Sequence, residues 1–503
     1  MIIINQEEYR DKVLACWLGK NIGGTIGYPF EWKRATYDID FYTQELKGEP
    51  FPNDDLDIQL LWLIALEEQG SRLDARTLAE YWNIGVTPHW AEYGLAKANL
   101  RAGLQPPVSG TLHNPYRHSC GAYIRSEIWA CITPGLPDAA AWHAYQDAII
   151  DHGNGEGTYG EIFFATLESA AFVMSDLREL IRIGLSYIPE ECAVAQAVRL
   201  TERCYDQGKS WRDTRDEILL QYRGAVQPWS PPASSADIAK GFADGPVGFD
   251  VPSNVAITIL GLLYGGEDFG KVVCTAVNCG EDTDCTAATA GSIFGIIHGC
   301  AGIPAKWIEP IGRSIKTICL NTGDFQGQLP KTVDELTDRT IAVALTVLAQ
   351  PYHRQRVQIS SQPSQKEIDP TKLASSKPFS LLSEGANGPI FQFEFFTVTV
   401  DYGAAPYFRD GECAELRIHI RSNARFQANI LTKLYLPPGC KASHGAICVW
   451  PGACETVTFK VQVTEVSQAA ARGVLELTLP GHPTVMLAPL IWFNGNNMPV
   501  ADA

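Results

Sequence analysis

Apolar positions recur at helical spacing through the first 350 residues and at a spacing of two beyond about residue 390, so the chain divides by period. Tyr9, Val13, Cys16 and Trp17 share one face of a helix predicted over 7–22. Gly19, Gly23 and Gly27 carry that line onward in steps of four. The apolar run after Asn53-Asp54-Asp55 predicts a helix that opens with acids in its first turn and stops at Gly70. Further helices are predicted at 74–83, 88–101, 138–150, 161–175, 190–206, 211–221, 253–263, 268–277, 304–313 and 331–349. A last one follows Asp284, with Gly291, Gly295 and Gly299 on one face. Strand-like alternation is nearly absent before residue 350, so residues 1–350 are expected to form an all-helical domain.

Residues 351–378 are polar and rich in Pro and Ser, and are expected to be a linker. Beyond them Phe391 to Phe395, Leu416 to Ile420, Thr456 to Val463 and Val474 to Leu479 alternate apolar with polar residues. Pro437-Pro438-Gly439 and Asn494-Gly495 supply turns. Six to eight such strands predict a β-sandwich over 379–503. The fold class is mainly α, an all-helical domain followed by a smaller C-terminal β-sandwich domain. That second domain carries no chemical constellation; its expected role is accessory, shaping the substrate or joining copies into a homo-oligomer.

Glycine costs about 1 kcal/mol relative to Ala inside an exposed helix, so two helices with glycines four apart imply two backbones in close approach. Such spacing also occurs in membrane helix pairs. Asp11, Lys12 and Lys20 lie within the first segment, which favours packing inside a water-soluble protein.

With 503 residues, 46% hydrophobic and 19% charged, the chain is long enough for two or three domains. A formal net charge of −17 argues against nucleic acid and anionic membranes as partners and favours divalent cations as guests. No apolar run approaches the length of a membrane span, and the N-terminus does not read as a secretory signal, so a cytoplasmic location is expected. The 14 cysteines are scattered without a CxxC pair and mostly sit among apolar neighbours, as reduced thiols do.

Two acid clusters, Asp54-Asp55 and Asp282-Thr283-Asp284, each stand at the mouth of a helix. Asp282 and Asp284 are two apart and diverge on a regular helix, so they converge on one ligand only from the turn that Gly280 opens. Each cluster alone also fits a capped, solvated helix start. Together with Glu31, just past the first helix, they carry five negative charges, which two divalent ions balance. Oxygen donors without a His or Cys pair favour magnesium, manganese or calcium over zinc.

Two more segments are candidates for substrate contact. Asp151-His152-Gly153-Asn154-Gly155 begins a glycine-rich turn whose spacing imitates a dinucleotide fingerprint, but a helix precedes it where a strand is required. Its backbone N–H groups remain suited to an anion or a sugar hydroxyl. In Ser119-Cys120-Gly121, Gly121 can cradle phosphate, with Arg125 as a structural pillar or an anion contact.

Taken in order, Asp11 to Gly19, Gly27 to Glu31, Asn53-Asp54-Asp55, Gly121 to Arg125, His152 and Gly280 to Asp284 resemble the ADP-ribosylglycohydrolase family, which includes the dinitrogenase reductase-activating glycohydrolases. The resemblance covers roughly residues 7 to 305 and implies an all-helical domain with a two-magnesium or two-manganese centre. It implies that Asp54, Asp55, Asp282 and Asp284 bind the metals and that Glu31 positions substrate or acts in catalysis. The family's Thr-Asp-Asp is Asn53-Asp54-Asp55 here, and its Asp-Thr-Asp-Thr is Asp282-Thr283-Asp284-Cys285. Asn53 keeps a carbonyl oxygen for a metal, whereas Cys285 is a poor magnesium ligand. A larger bacterial branch, with Cys after the second Asp and an added C-terminal domain, is the more similar one.

The expected activity is hydrolysis of a C1 N- or O-glycosidic bond in a small or protein-linked ribosyl substrate. Glu31, or a metal-bridging Asp55 or Asp282, takes the proton of the attacking water. Gly121, Arg125, His152, Asn154 and Gly155 are the substrate-binding candidates. A glycosidase or nucleosidase acting on a furanoside without ADP is the alternative, and a non-catalytic ADP-ribose or sugar binder is a second.

Overall fold

The computed structural model describes residues 1–33, 35–223, 248–325, 327–365, 367–382, 386–443, 445–483 and 485–497. They fall into two compact units, Met1–Gly94 with Asn114–Phe379, and Leu95–His113 with Ser380–Ala503.

The first unit is built on the two glycine-bearing helices, Gln6–Gly27 and Thr283–His298, which run antiparallel in close contact. A Cβ on Gly19 would lie 2.1 Å from the carbonyl oxygen of Gly291, one on Gly23 2.2 Å from that of Ala287, and one on Gly27 2.3 Å from that of Thr283. From the other side, a Cβ on Gly295 would lie 2.3 Å from the carbonyl oxygen of Ala15. Each step of four along one helix is matched by a step of four back along the other. The predicted close approach is therefore real, and it has a register. That register puts the exit of the first helix against the entrance of the second.

Further helices wrap this pair around a core that buries Trp17, Trp62, Trp82 and Trp129 completely. Asn5 caps the first helix by accepting the N–H groups of Glu7 and Glu8, and Gly70, at φ +74°, closes Asp54–Gln69. Most predicted helices are present within a few residues, as with Pro137–Ala148 and Val333–Leu348. The 304–313 prediction shrinks to one turn, Ala305–Ile308. Leu177–Leu185, capped by Asp176, and Glu127–Ile132 are additions.

Residues 351–378, expected as a linker, hold a strand and a helical turn. Val357–Ser360 pairs in parallel with Ile2–Asn5, and Pro370–Lys372 forms a 3₁₀ turn. The Phe379 N–H donates to the Tyr187 carbonyl, so this stretch is part of the first unit. Its polar composition reflects a strand in which Val357 alone is fully buried.

The second unit is a β-sandwich. One sheet runs Ile390–Gln392, Phe396–Asp401, Cys413–Ser422, Cys454–Val463, Cys440–Ala442, antiparallel throughout. The other runs Tyr407–Phe408, Val485–Asn494, Ala470–Thr478, Ala428–Tyr435, Gly445–Val449, with its first pair parallel. Burial alternates strictly along Ala428–Tyr435. Val398, Ile418 and Phe459 from one sheet meet Ile430, Leu475 and Trp492 from the other. The segment Leu95–His113 belongs to this unit, with Leu104 and Val108 packed on Ile491. Among the described residues no helix is long and apolar enough to cross a membrane.

Candidate metal centre

Where the two glycine helices end, the chain leaves the first through a 3₁₀ turn, Tyr28–Phe30. It then pairs Lys33 with Glu281 in an isolated antiparallel bridge. Gly280 makes this docking possible: its φ is +73°, and a Cβ there would sit 1.9 Å from the Ala35 carbonyl oxygen. The bridge delivers Glu31 beside Asp282. Asp282 in turn is fixed by its N–H, which donates to Asn254 Oδ1 at 3.1 Å.

Two groups of donor atoms result, each with its members within 4.8 Å of one another: Asp55, Asp284 and Cys285, and Glu31, Asp282 and Asp284. Asp284 belongs to both. Asp54 lies outside both groups but lines the same cleft, where its Oδ2 accepts the Tyr93 hydroxyl at 3.1 Å. Asn53, a metal candidate from the sequence, acts as the helix cap, its Oδ1 accepting the Asp55 N–H at 2.7 Å. Cys285, a member of the first group, has its thiol pushed far up by burial and then by Asp282 and Asp55. Its Sγ donates to Asp55 Oδ1 at 3.4 Å.

Behind Asp55 stands Lys20, 1% exposed, with Nζ 4.0 Å from Asp55 Oδ2. The ammonium donates to Glu127 Oε1 at 2.8 Å and to Thr289 at 3.3 Å. Glu127 also accepts from Gln59 at 2.8 Å. This buried base for the acid cluster was not singled out from the sequence; its signal is a Lys between Gly19 and Gly23 on an otherwise apolar helix.

The cluster is charged beyond what the protein compensates. Burial raises the carboxyls of Asp54, Asp55 and Asp282, and Asp284 repels the last two further. Burial and then Asp284, Asp54 and Asp55 push Glu31 up to about 10. Asp284 rises to about 6, through burial and then Asp54. Asp55 Oδ2, Asp282 Oδ1 and Asp284 Oδ1 are buried without a hydrogen-bond partner. Orphaned carboxylate oxygens converging on one space fit a hard divalent cation.

The pH dependence of stability follows from these directions. A carboxyl with a raised folded-state pKa stabilises the fold fully below its unfolded value, near 4, and that contribution is lost as pH rises through the folded value. The metal-free protein should therefore lose stability from about pH 4 upward, through about 6 for Asp284 and toward about 10 for Glu31. A cation replaces the missing protons, so magnesium should raise the melting temperature more at about pH 8.5 than at about pH 5.5. Thermal melts with and without magnesium at the two pH values check this.

Above the acids lies a cleft. Glu31, Asp54, Asp282 and Cys285 line it, with Gly121, Ser119 and Glu92. Trp32 and Trp90, about half exposed, add aromatic faces. Of the substrate-binding candidates, Gly121 is in this lining and the others are not. Arg125 is fully buried as a pillar: its guanidinium donates to Asp147 at 2.8 Å, to Asp151 at 2.7 Å and to the Gly121 carbonyl. His152 is also fully buried, between Asp151 and Ser119. The turn at Gly155 is closed by protein, since a Cβ there would lie 2.0 Å from the Arg117 carbonyl oxygen. The Glu156 N–H beyond it donates to His118 Nδ1, which occupies the helix end expected to meet an anion. Asn154 is exposed to solvent.

The sequence profile of the ADP-ribosylglycohydrolases matches residues 5–345, a span that contains every residue of the acid cluster. The chain belongs to the ADP-ribosylglycohydrolase family. Within it, the ADP-ribosylarginine hydrolase Tri1 of Pseudomonas putida (strain GB-1) is 33% identical over 52 residues, 10% of this chain. The match spans 14% of that relative's length. Two solved structures were also matched. A FixG-related protein from Vibrio parahaemolyticus aligns over 20% of this chain and 98% of its own, at 10% identity and a TM-score of 0.18. The alkylpurine DNA glycosylase AlkC of Pseudomonas fluorescens, bound to DNA containing an abasic site analog, aligns over 87% and 97%, at 12% identity and a TM-score of 0.14. Scores that low carry no argument about this fold.

Proposed function

We propose that this family member is a metal-dependent glycoside hydrolase that cleaves the C1 N- or O-glycosidic bond of an ADP-ribosyl conjugate. The observation that carries this reading is the pair of donor groups sharing Asp284, whose residues Glu31, Asp282 and Cys285 line a cleft. Asp55, Asp282, Asp284 and Glu31 would hold two divalent ions, magnesium first, with manganese or calcium able to replace it. Such ions, when bound, supply Lewis acidity and lower the pKa of a bound water.

The chain's own residues do the rest. Lys20 holds Asp55 from behind, and Tyr93 orients Asp54. Glu31, partly buried at the cleft, takes the proton of the attacking water on a carboxylate oxygen as oxocarbenium character develops at C1. Burial first, and the neighbouring carboxylates after it, push its carboxyl to about 10, and neutralising those carboxylates lowers it toward a base. Apolar and aromatic lining from Trp32, Trp90 and Ile124 excludes water around the bond.

A second reading is favoured by one feature. Among the described residues no Lys or Arg lines the cleft, and Arg125 is committed to Asp147 and Asp151. That lining suits a furanoside or nucleoside without a diphosphate. Assaying N- and O-linked ADP-ribosyl conjugates beside aryl ribofuranosides separates the two: turnover confined to the aryl ribofuranosides selects the second. Stripping metal with EDTA should abolish turnover, and magnesium should restore it. At a free concentration a hundred times its dissociation constant, magnesium should add about 2.7 kcal/mol of stability. Ligand binding indifferent to EDTA, without turnover, would instead mark a sugar-binding protein.

A further inference from the structure

Glu92 has no part in the acid cluster, yet it is 6% exposed and lines the same cleft. Its carboxyl lies over Gly121, where a Cβ would come within 2.0 Å of Oε1. The absence of a side chain at Gly121 makes room for this carboxyl. A chain of buried groups stands behind it. Ser119 hydrogen-bonds Glu92, Ser119 Oγ is 3.2 Å from His152 Nε2, and His152 Nδ1 is 2.9 Å from Asp151 Oδ1. Arg125 anchors the far end on Asp151 at 2.7 Å.

The direction of that chain matters. Burial alone would raise Asp151, but Arg125 and His152 hold it down to about 2, so it is an acceptor. His152 then donates from Nδ1 to Asp151, and its Nε2 stays paired with Ser119 Oγ. Burial, the largest influence, raises the Glu92 carboxyl, and the opposing pulls of His152 and of the Ser119 hydrogen bond do not reverse it.

We propose that Glu92 is the proton donor to the leaving group, aimed by Ser119 and His152 as positioning residues. This rests on the hydrolytic reading above. The C1–X bond breaks with its electron pair remaining on X, and X takes the proton from Glu92. The water oxygen bonds to C1 and its proton goes to Glu31. The products are the free sugar and HX, and both carboxyls return to their starting states by exchange with solvent. Two carboxyls in unlike surroundings are thereby divided into base and acid.

The test is a series of ribosyl conjugates with leaving groups from an acidic nitrophenol to an alcohol and an amine, run on the magnesium-loaded wild type, Glu92→Gln and Glu92→Asp. Glu92→Gln should lose about 10²- to 10⁴-fold in kcat/KM on the poor leaving groups and less than about tenfold on the nitrophenol. Glu92→Asp, which keeps an acid, should recover part of that loss on the poor leaving groups. Melting curves and magnesium titrations of both variants should match the wild type. A loss equal across the series, or no loss, overturns the assignment. If the wild type turns over no member, ribosyl hydrolysis itself fails, and the role of Glu92 goes with it.

Discussion

Asp284→Asn should fold, bind no divalent ion tightly and turn over substrate at least about a thousandfold more slowly, the scale of losing a main electrostatic stabiliser of the transition state. Asp284 is the member common to both donor groups, so removing its charge weakens each of them at once. In the absence of metal the variant should melt no lower than the wild type. The carboxylate removed is one that burial and Asp54 disfavour, and its loss relieves Asp55 and Asp282, both of which it repels. The melting-temperature gain that magnesium confers should disappear. Asp54→Asn gives the contrast: Asp54 is outside both groups and tied to Tyr93, so a milder loss of metal affinity is expected. Calorimetric magnesium titration of the two variants, with turnover in parallel, decides the matter. Wild-type affinity in Asp284→Asn would remove the shared-ligand picture.

Gly23→Ala should be among the most damaging single methyl groups in the helical unit. The new Cβ would fall 2.2 Å from the Ala287 carbonyl oxygen and 2.5 Å from the Ala288 Cα, both backbone atoms that no rotamer change can move. Overpacking of a tight core costs about 1–3 kcal/mol, and with helix backbone on both sides the upper end is expected. The effect should reach the site. Pushing the helices apart separates Gly27 from Thr283, and with it Glu31 from Asp282, so magnesium affinity should drop in the protein that still folds. Gly327→Ala, where a new Cβ would meet nothing within 4 Å and φ is not positive, should change stability by less than about 0.5 kcal/mol. Denaturant titrations of the two variants measure the difference, and a Gly23→Ala midpoint equal to wild type would contradict this packing.

The features of this site that could be read from sequence were those with a local signature. Glycines at four-residue spacing implied close helices because Gly has no other reason to recur inside a helix. Acids at helix mouths implied a cation because nothing nearby neutralises them. What stayed hidden depends on partners far away in the chain. Lys20 is tied to Glu127 and Thr289, and no pattern around residue 20 announces either. Arg125 and His152 sit in motifs that suggest ligand contact, yet Asp147 and Asp151 claim one and Ser119 with Asp151 the other. A side chain's identity is local, whereas its hydrogen-bond partners are set by the fold. Glu92 lacked a signal for the same reason, since the glycine that makes room for it is Gly121. The strand Val357–Ser360 was invisible because four residues with a single buried position look like a loop until Ile2–Asn5 is set beside them.

That pairing of the first strand with Val357–Ser360, together with the register of the two glycine helices, constrains how the protein is made. During synthesis the Gln6–Gly27 helix emerges early and must wait for a partner that begins at Thr283, while its glycine face stays open to chaperones or to wrong neighbours. A ribosome-bound chain ending before Gly280 holds Asp54 and Asp55 but lacks Asp282 and Asp284, and should be indifferent to magnesium in a protease-protection assay. Resistance that responds to the ion should appear only after residue 299 has cleared the exit tunnel.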